Sequence, residues 1–246
     1  MSALFKNFIQ TARHCTKPAL ALESKVLKAC AIALFAWPLL GAAQLKVTPG
    51  MKDSLQTSSV FKDTVLVVGD SLSAEYGLKR GTGWVPLLDK QITQDKKSAK
   101  VVNASISGDT TSGGRSRLPA LLAQHKPSVV VIELGGNDAL RGLPLNMTEK
   151  NITEMTQLSK KAGAKVLIVG MQVPPNYGGA YGSTFSGLFA KVAKAEKVSL
   201  VPFFLKGIAD VGDSTKNFQA DRIHPNEDSQ PEMLANVWPE LKKLLK

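Results

Sequence analysis

From Thr64 to the C-terminus, short apolar runs alternate with longer amphipathic stretches. The runs Thr64–Gly69, Val101–Ser105, Ser128–Leu134, Lys165–Met171 and Ser199–Phe203 carry few charges. They read as strands buried on both faces. Between them, helices are predicted over Gly83–Gln94, Ser112–Gln124, Thr148–Ala162 and Thr184–Glu196, with a last helix over Gln230–Leu245. Strands that alternate with helices imply parallel pairing through right-handed crossovers. The expected fold is α/β: a three-layer α/β/α sandwich around a flavodoxin-like five-stranded parallel sheet. No internal repeat, low-complexity tract or second domain is visible.

The N-terminal part follows a different pattern. Lys6, Arg13, Lys17, Lys25 and Lys28, opposed only by Glu23, precede an apolar run from Ala29 to Ala43 that ends in Gly41-Ala42-Ala43. A basic region, a short apolar core and a small-residue exit describe a secretory signal peptide, here residues 1–43. The run is shorter than the ~20 residues that span a bilayer. Export to the periplasm is therefore expected. The polar stretch 44–62 reads as a linker and 63–246 as the folded domain.

Composition adds two constraints. The chain carries a net charge of +11, which favours anionic partners. Loss of residues 1–43 removes five positive charges and one negative, leaving about +7. Weak contact with an anionic membrane fits this balance. Nucleic acid does not, because the basic residues are scattered in sequence and no recognition motif is present. Cys15 and Cys30 both leave with the signal peptide. No cysteine then remains as a nucleophile or metal ligand, and the domain is held by burial alone.

Parallel strands point the same way, so their carboxyl ends meet on one rim, where ligands of open α/β sheets bind. The first run ends in Gly69-Asp70-Ser71 and the second leads into Ser107-Gly108-Asp109-Thr110. The third ends in Gly135-Gly136-Asn137-Asp138, and the fourth in Pro174-Pro175-Asn176-Tyr177-Gly178. Asp70 and Ser71 are expected to cap a helix, whose free N–H groups would face the Ser71 hydroxyl. A serine hydroxyl needs an adjacent base to attack a carbonyl, and histidine suits proton shuttling. After residue 43 only His125 and His224 remain. His125 lies in the polar turn Gln124-His125-Lys126-Pro127, the setting of a solvated residue. His224 lies in Asp221-Arg222-Ile223-His224-Pro225-Asn226, where Pro225 keeps it out of helix. Asp221 can there orient the imidazole ring. The amides of Ser71 and Gly108 and the side-chain amide of Asn137 stand where an oxyanion would need donors.

These residues resemble the four blocks of the SGNH (GDSL) hydrolases: Gly69-Asp70-Ser71-Leu72, Gly108, Gly135-x-Asn137-Asp138 and Asp221-x-x-His224. Val102-Asn103-Ala104-Ser105-Ile106-Ser107-Gly108-Asp109-Thr110 and Glu133-Leu134-Gly135-Gly136-Asn137-Asp138 are similar to the bacterial periplasmic thioesterase, lysophospholipase and arylesterase group. The resemblance covers the chain from about Thr64 to its end. It implies Ser71 as nucleophile, His224 as base, Asp221 as orienting carboxylate, and an oxyanion hole from Ser71, Gly108 and Asn137. It also implies an esterase without metal or cofactor, active on acyl-CoA thioesters, aryl esters and lysophospholipids. The loop holding Pro174 and Tyr177 would shape the acyl pocket. A carbohydrate-ester deacetylase or O-acetyltransferase of the envelope could use the same site. A catalytically silent envelope-binding module is the reading from a different class. A monomer is expected. The charged, glycine-containing segment Lys206 to Asn217 departs from what a substrate-binding loop should look like.

Overall fold

A computed structural model describes residues 61–246. The proposed signal peptide and all but the last two residues of the proposed linker lie outside them. Five parallel strands are present: β1 (Asp63–Gly69), β2 (Ala99–Asn103), β3 (Val129–Glu133), β4 (Lys165–Val169) and β5 (Ser199–Val201). Their order is β2-β1-β3-β4-β5. The helices are α1 (Trp84–Gln94), α2 (Thr111–His125), α3 (Gly136–Leu140), α4 (Leu145–Lys161), α5 (Gly179–Glu196) and α6 (Gln230–Leu244). The three-layer α/β/α reading holds.

The central strands form the core. Val65, Leu66, Val67 and Val68 of β1 and Val129, Val130 and Val131 of β3 are fully buried. Each such side chain contributes roughly 1.5–3 kcal/mol on leaving water. α1 and α6 pack against each other on one face, and α2, α4 and α5 on the other. Trp84 and Phe204 meet edge-on in this core at 5.5 Å.

Three local expectations are corrected. Ser71 is not at the N-terminus of an α-helix: residues 71–77 form successive turns, and α1 starts only at Trp84. Glu75 at φ 60° and Gly77 at φ 69° take the left-handed backbone that stops a helix from propagating. His125 is the last residue of α2 rather than part of a turn. Because α2 runs antiparallel to the strands, His125 lies on the rim opposite Ser71. α5 begins at Gly179, five residues before the predicted start at Thr184. Its first turn, Gly179-Ala180-Tyr181-Gly182, has little helix propensity of its own.

Two buried carboxyl groups join β1 to β3 at the rim. The register pairs Gly69 with Glu133. Glu133 Oε2 accepts from the Ser73 hydroxyl at 2.6 Å and from the Asp70 N–H at 3.3 Å. Trp84 Nε1 donates to Ser73 Oγ at 3.1 Å, extending the network to α1. Asp70 accepts from the Leu72 N–H at 3.0 Å and from Asn137 Nδ2 at 3.1 Å. Burial raises the Asp70 carboxyl to about 6, although the Leu72 N–H, the Asn137 amide and His224 all pull it down. Burial and the neighbouring Asp70 charge push Glu133 well above the usual carboxylate range.

A carboxyl whose folded pKa is raised binds its proton more tightly in the folded state. Its contribution to stability is therefore present at low pH and lost as pH rises from about 4 to about 6. Two pKa units correspond to on the order of 3 kcal/mol. Asp70→Asn, which cannot ionise, should gain stability relative to wild type by about this amount between pH 4 and pH 7. Urea unfolding at the two pH values measures the change, and a difference independent of pH would contradict it.

Candidate active site

The serine turn is built by the end of β1. Its glycine is required by space rather than by conformation. A Cβ on Gly69 would lie 2.7 Å from Glu133 Oε2 and 2.7 Å from Ser73 Oγ. Ser71 follows, half-buried, and its carbonyl accepts from the Tyr76 N–H at 3.3 Å.

The histidine arrives from far along the chain. A single antiparallel bridge between Phe218 and Pro225 closes a tight loop. Within it the Gln219 N–H donates to the His224 carbonyl at 2.8 Å. Arg222 takes the left-handed region at φ 58°, uncommon for a residue with a side chain, to make the reversal. Gln219 Nε2 donates to the Tyr76 carbonyl at 2.9 Å, tying this loop to the serine turn.

His224 lies between the other two residues of the set. Its Nε2 is 2.9 Å from Ser71 Oγ and its Nδ1 is 2.7 Å from Asp221 Oδ2. A carboxylate at Nδ1 holds the proton there, which leaves Nε2 free to accept from the serine hydroxyl. Asp221 Oδ1 also accepts from the Ile223 and His224 N–H groups at 2.9 and 3.0 Å. Burial opposes its charge, but these N–H bonds and the His224 ring outweigh it and bring Asp221 down to about 2. The Asp221 carboxylate is thus ionised throughout the range in which a histidine can act as base.

The three oxyanion candidates lie in segments that follow β1, β2 and β3. Among the described residues, the N–H groups of Ser71 and Gly108 donate to no protein acceptor. Gly108 has φ 77°, and its carbonyl is held by Arg141 at 2.8 Å. Asn137, in the first turn of α3, gives one amide N–H to Asp70 and keeps the other. Asp138 braces this segment from below, accepting from the Thr111 N–H at 2.8 Å and from the Thr111 hydroxyl.

Tyr177 ends a 3-10 turn after β4 and stands 37% exposed, stacked on Tyr181 with ring centroids 6.3 Å apart. The Tyr181 hydroxyl donates to the Ala139 carbonyl at 3.3 Å, two residues beyond Asn137. Pro174 lines a surface cavity of about 260 Å³, which Tyr177 does not line. A larger cavity, about 620 Å³, lies against α1 and the edge strand β2 and includes neither Ser71 nor His224. The serine and histidine open instead onto the rim itself. Among the described residues, no group of three or more His, Cys, Asp or Glu side chains could hold a metal ion.

Three contributors had no assigned role in the sequence reading. Glu133 gave a faint signal as the one charge in a strand that is otherwise all β-branched and apolar. Asp138 was visible only as part of a motif. Tyr76, whose ring lies 4.4 Å from the His224 ring, gave none.

Known proteins similar to this chain identify its family. The family described as GDSL-like Lipase/Acylhydrolase matches residues 67–230. Esterase TesA of Pseudomonas aeruginosa is 52% identical over 191 residues, 78% of this chain and 94% of that protein. Thioesterase 1/protease 1/lysophospholipase L1 of Escherichia coli K12 is 46% identical over 169 residues, 69% of this chain and 78% of that one. A crystal structure of TesA superposes with a TM-score of 0.71 at 53% identity, covering 74% of this chain and 100% of that one. The matched stretch contains every residue of the Ser71 rim from β1 to His224, and the chain belongs to the GDSL-like lipase/acylhydrolase family of ester hydrolases.

Proposed function

We propose that this protein is an exported serine esterase in which Ser71 is the nucleophile, His224 the base and Asp221 the carboxylate that orients it. The observation that carries the reading is the position of His224, 2.9 Å from Ser71 Oγ on one side and 2.7 Å from Asp221 on the other. His224 Nε2 takes the Ser71 proton as Oγ bonds to the acyl carbon. The resulting oxyanion faces the N–H groups of Ser71 and Gly108 and the free amide N–H of Asn137. Collapse breaks the bond to the leaving alcohol or thiol, which takes the proton from His224. Water, deprotonated by His224, then attacks the acyl-serine ester, and the acid leaves as Ser71 recovers its proton.

The substrates we propose are acyl esters and thioesters, including aryl esters, acyl-CoA and lysophospholipids. The names of the relatives support this range. Tyr177 and Pro174 would border the acyl chain, supported by the link from Tyr181 to the Asn137 segment. No metal or cofactor is needed for this chemistry. The basic–apolar–small pattern of residues 1–43 supports export to the periplasm, with 44–62 as linker and a monomeric domain beyond it.

Ser71→Ala should lower kcat for p-nitrophenyl butyrate at least ~10³-fold with an unchanged melting temperature. A serine-directed phosphonate should label wild type stoichiometrically and leave this variant unlabelled. Near-normal turnover in Ser71→Ala would refute the nucleophile assignment. Asn137→Ala should cost ~10²–10³-fold in kcat through the lost oxyanion donor. A series of p-nitrophenyl esters should favour medium or longer chains, whereas strict preference for acetate would point to a deacetylase.

A further inference from the structure

The lysines that look scattered along the sequence are gathered by the parallel topology. Read across the sheet in the order β2-β1-β3-β4-β5, the strands start near Lys97, Lys62, Lys126, Lys165 and Lys197. A lysine stands at, or within three residues before, the start of every strand. The register pairs Asp63 with Ala99 and Val129 with Lys165, which keeps these starts close to level. With strands ~4.8 Å apart, the row is roughly 20 Å wide. All but the half-buried Lys97 are exposed, as is Lys100 on the edge strand. The five arginines of the described residues lie elsewhere. Arg80, Arg141 and Arg222 are in loops beyond strand ends, and Arg115 and Arg117 are in the half of α2 nearer the Ser71 rim.

Helix ends explain part of this pattern. Lys126 and Lys197 sit just past the C-termini of α2 and α5, where a cation offsets the negative end of the helix. Lys62, Lys100 and Lys165 belong to strands or their starts, and sheets carry only small net dipoles. One carboxylate stands in the row itself, the buried Asp63, which accepts from the Lys246 N–H at 2.7 Å and pairs with none of these lysines. Asp95, Glu196 and Glu240 on this rim are already paired with Lys242, Lys160 and Lys243. Among the described residues, no carboxylate lies within ion-pair distance of Lys62, Lys100, Lys126 or Lys197.

We propose that this lysine rim is a docking face for an anionic phospholipid surface, on which the domain rests with the Ser71 rim turned to solution. Two features favour lipid over nucleic acid. The charges spread over a broad sheet edge rather than along a groove. They are all lysine, a mobile point charge suited to a diffuse field of headgroups, without the planar forks of arginine used in phosphate and base recognition.

A lysine held at an anionic bilayer strengthens binding about fivefold. The test is co-sedimentation of the exported form, residues 44–246, with vesicles of phosphatidylglycerol and phosphatidylcholine, or of phosphatidylcholine alone. The triple variant Lys100→Gln, Lys126→Gln, Lys197→Gln removes three exposed, unpaired charges. It should bind the anionic vesicles roughly a hundredfold more weakly while hydrolysing soluble p-nitrophenyl butyrate at the wild-type rate. The corresponding triple Lys→Arg variant should restore binding, which separates charge from any loss of folding. Wild type bound to vesicles should keep its activity on the soluble ester. Equal binding of wild type and the Gln variant to anionic vesicles, or equal wild-type binding to both kinds of vesicle, would overturn the docking face. Loss of activity on docking would overturn the orientation. Tighter binding to duplex DNA than to vesicles, with the same lysine dependence, would overturn the choice of lipid.

Discussion

A carboxyl group that water cannot reach lies directly beneath the serine turn, and the geometry of the site depends on how it is satisfied. Glu133 closes β3 with a polar group after four fully apolar residues. An isolated charge there would cost far more than one hydrogen bond returns, so burial favours the protonated form. Its Oε2 collects the Ser73 hydroxyl and the Asp70 N–H, and both donors belong to the turn that presents Ser71. Gly69 leaves room for this approach, since a side chain there would occupy the position of the carboxyl. The short block around Ser71 thus combines a glycine for space, an aspartate that ties the turn to Asn137, and the serine itself.

The same topology divides the molecule into two unlike rims. At the carboxyl ends of the strands, loops rich in glycine and short polar side chains leave N–H groups free and bring Asp221 and His224 to Ser71. At the opposite rim, helices end and strands begin, and lysines predominate. A parallel sheet produces this separation without any local instruction, because every strand points the same way and every crossover helix returns antiparallel to it. A residue's distance along the chain therefore says little about its company. Ser71 and His224 are 153 positions apart and in hydrogen-bond contact.

Strand positions were legible because burial on both faces imposes uninterrupted apolar sequence, which few other elements show. Helix ends were less so. The start of α5 at Gly179 is not a matter of propensity, and its first turn is tied to the fold by the Tyr181 contact with Ala139. The stretch after Ser71 resembles a capped helix locally, but Glu75 and Gly77 divert it into turns that bring Tyr76 against His224. Asp221 and His224 stood out because only two histidines follow residue 43, and this one precedes a proline three residues after an aspartate. Glu133 did not, since a carboxylate at a strand end is ordinarily solvated.

The order of apolar and polar residues was enough to imply five parallel strands and the rim on which Ser71, Gly108, Asn137 and His224 would meet, while the roles proposed for Ser71 and His224 came from the resemblance of their blocks to the SGNH hydrolases. The strands and the rim rest on periodicity, a local property. Four features arose only with the folded chain: the 2.9 Å approach of His224 to Ser71, the shared burial of Asp70 and Glu133, the packing of Tyr76, and the gathering of lysines at the far rim. Each depends on groups distant in sequence sharing one low-dielectric pocket or one sheet edge, and distance in space is not encoded at any single position.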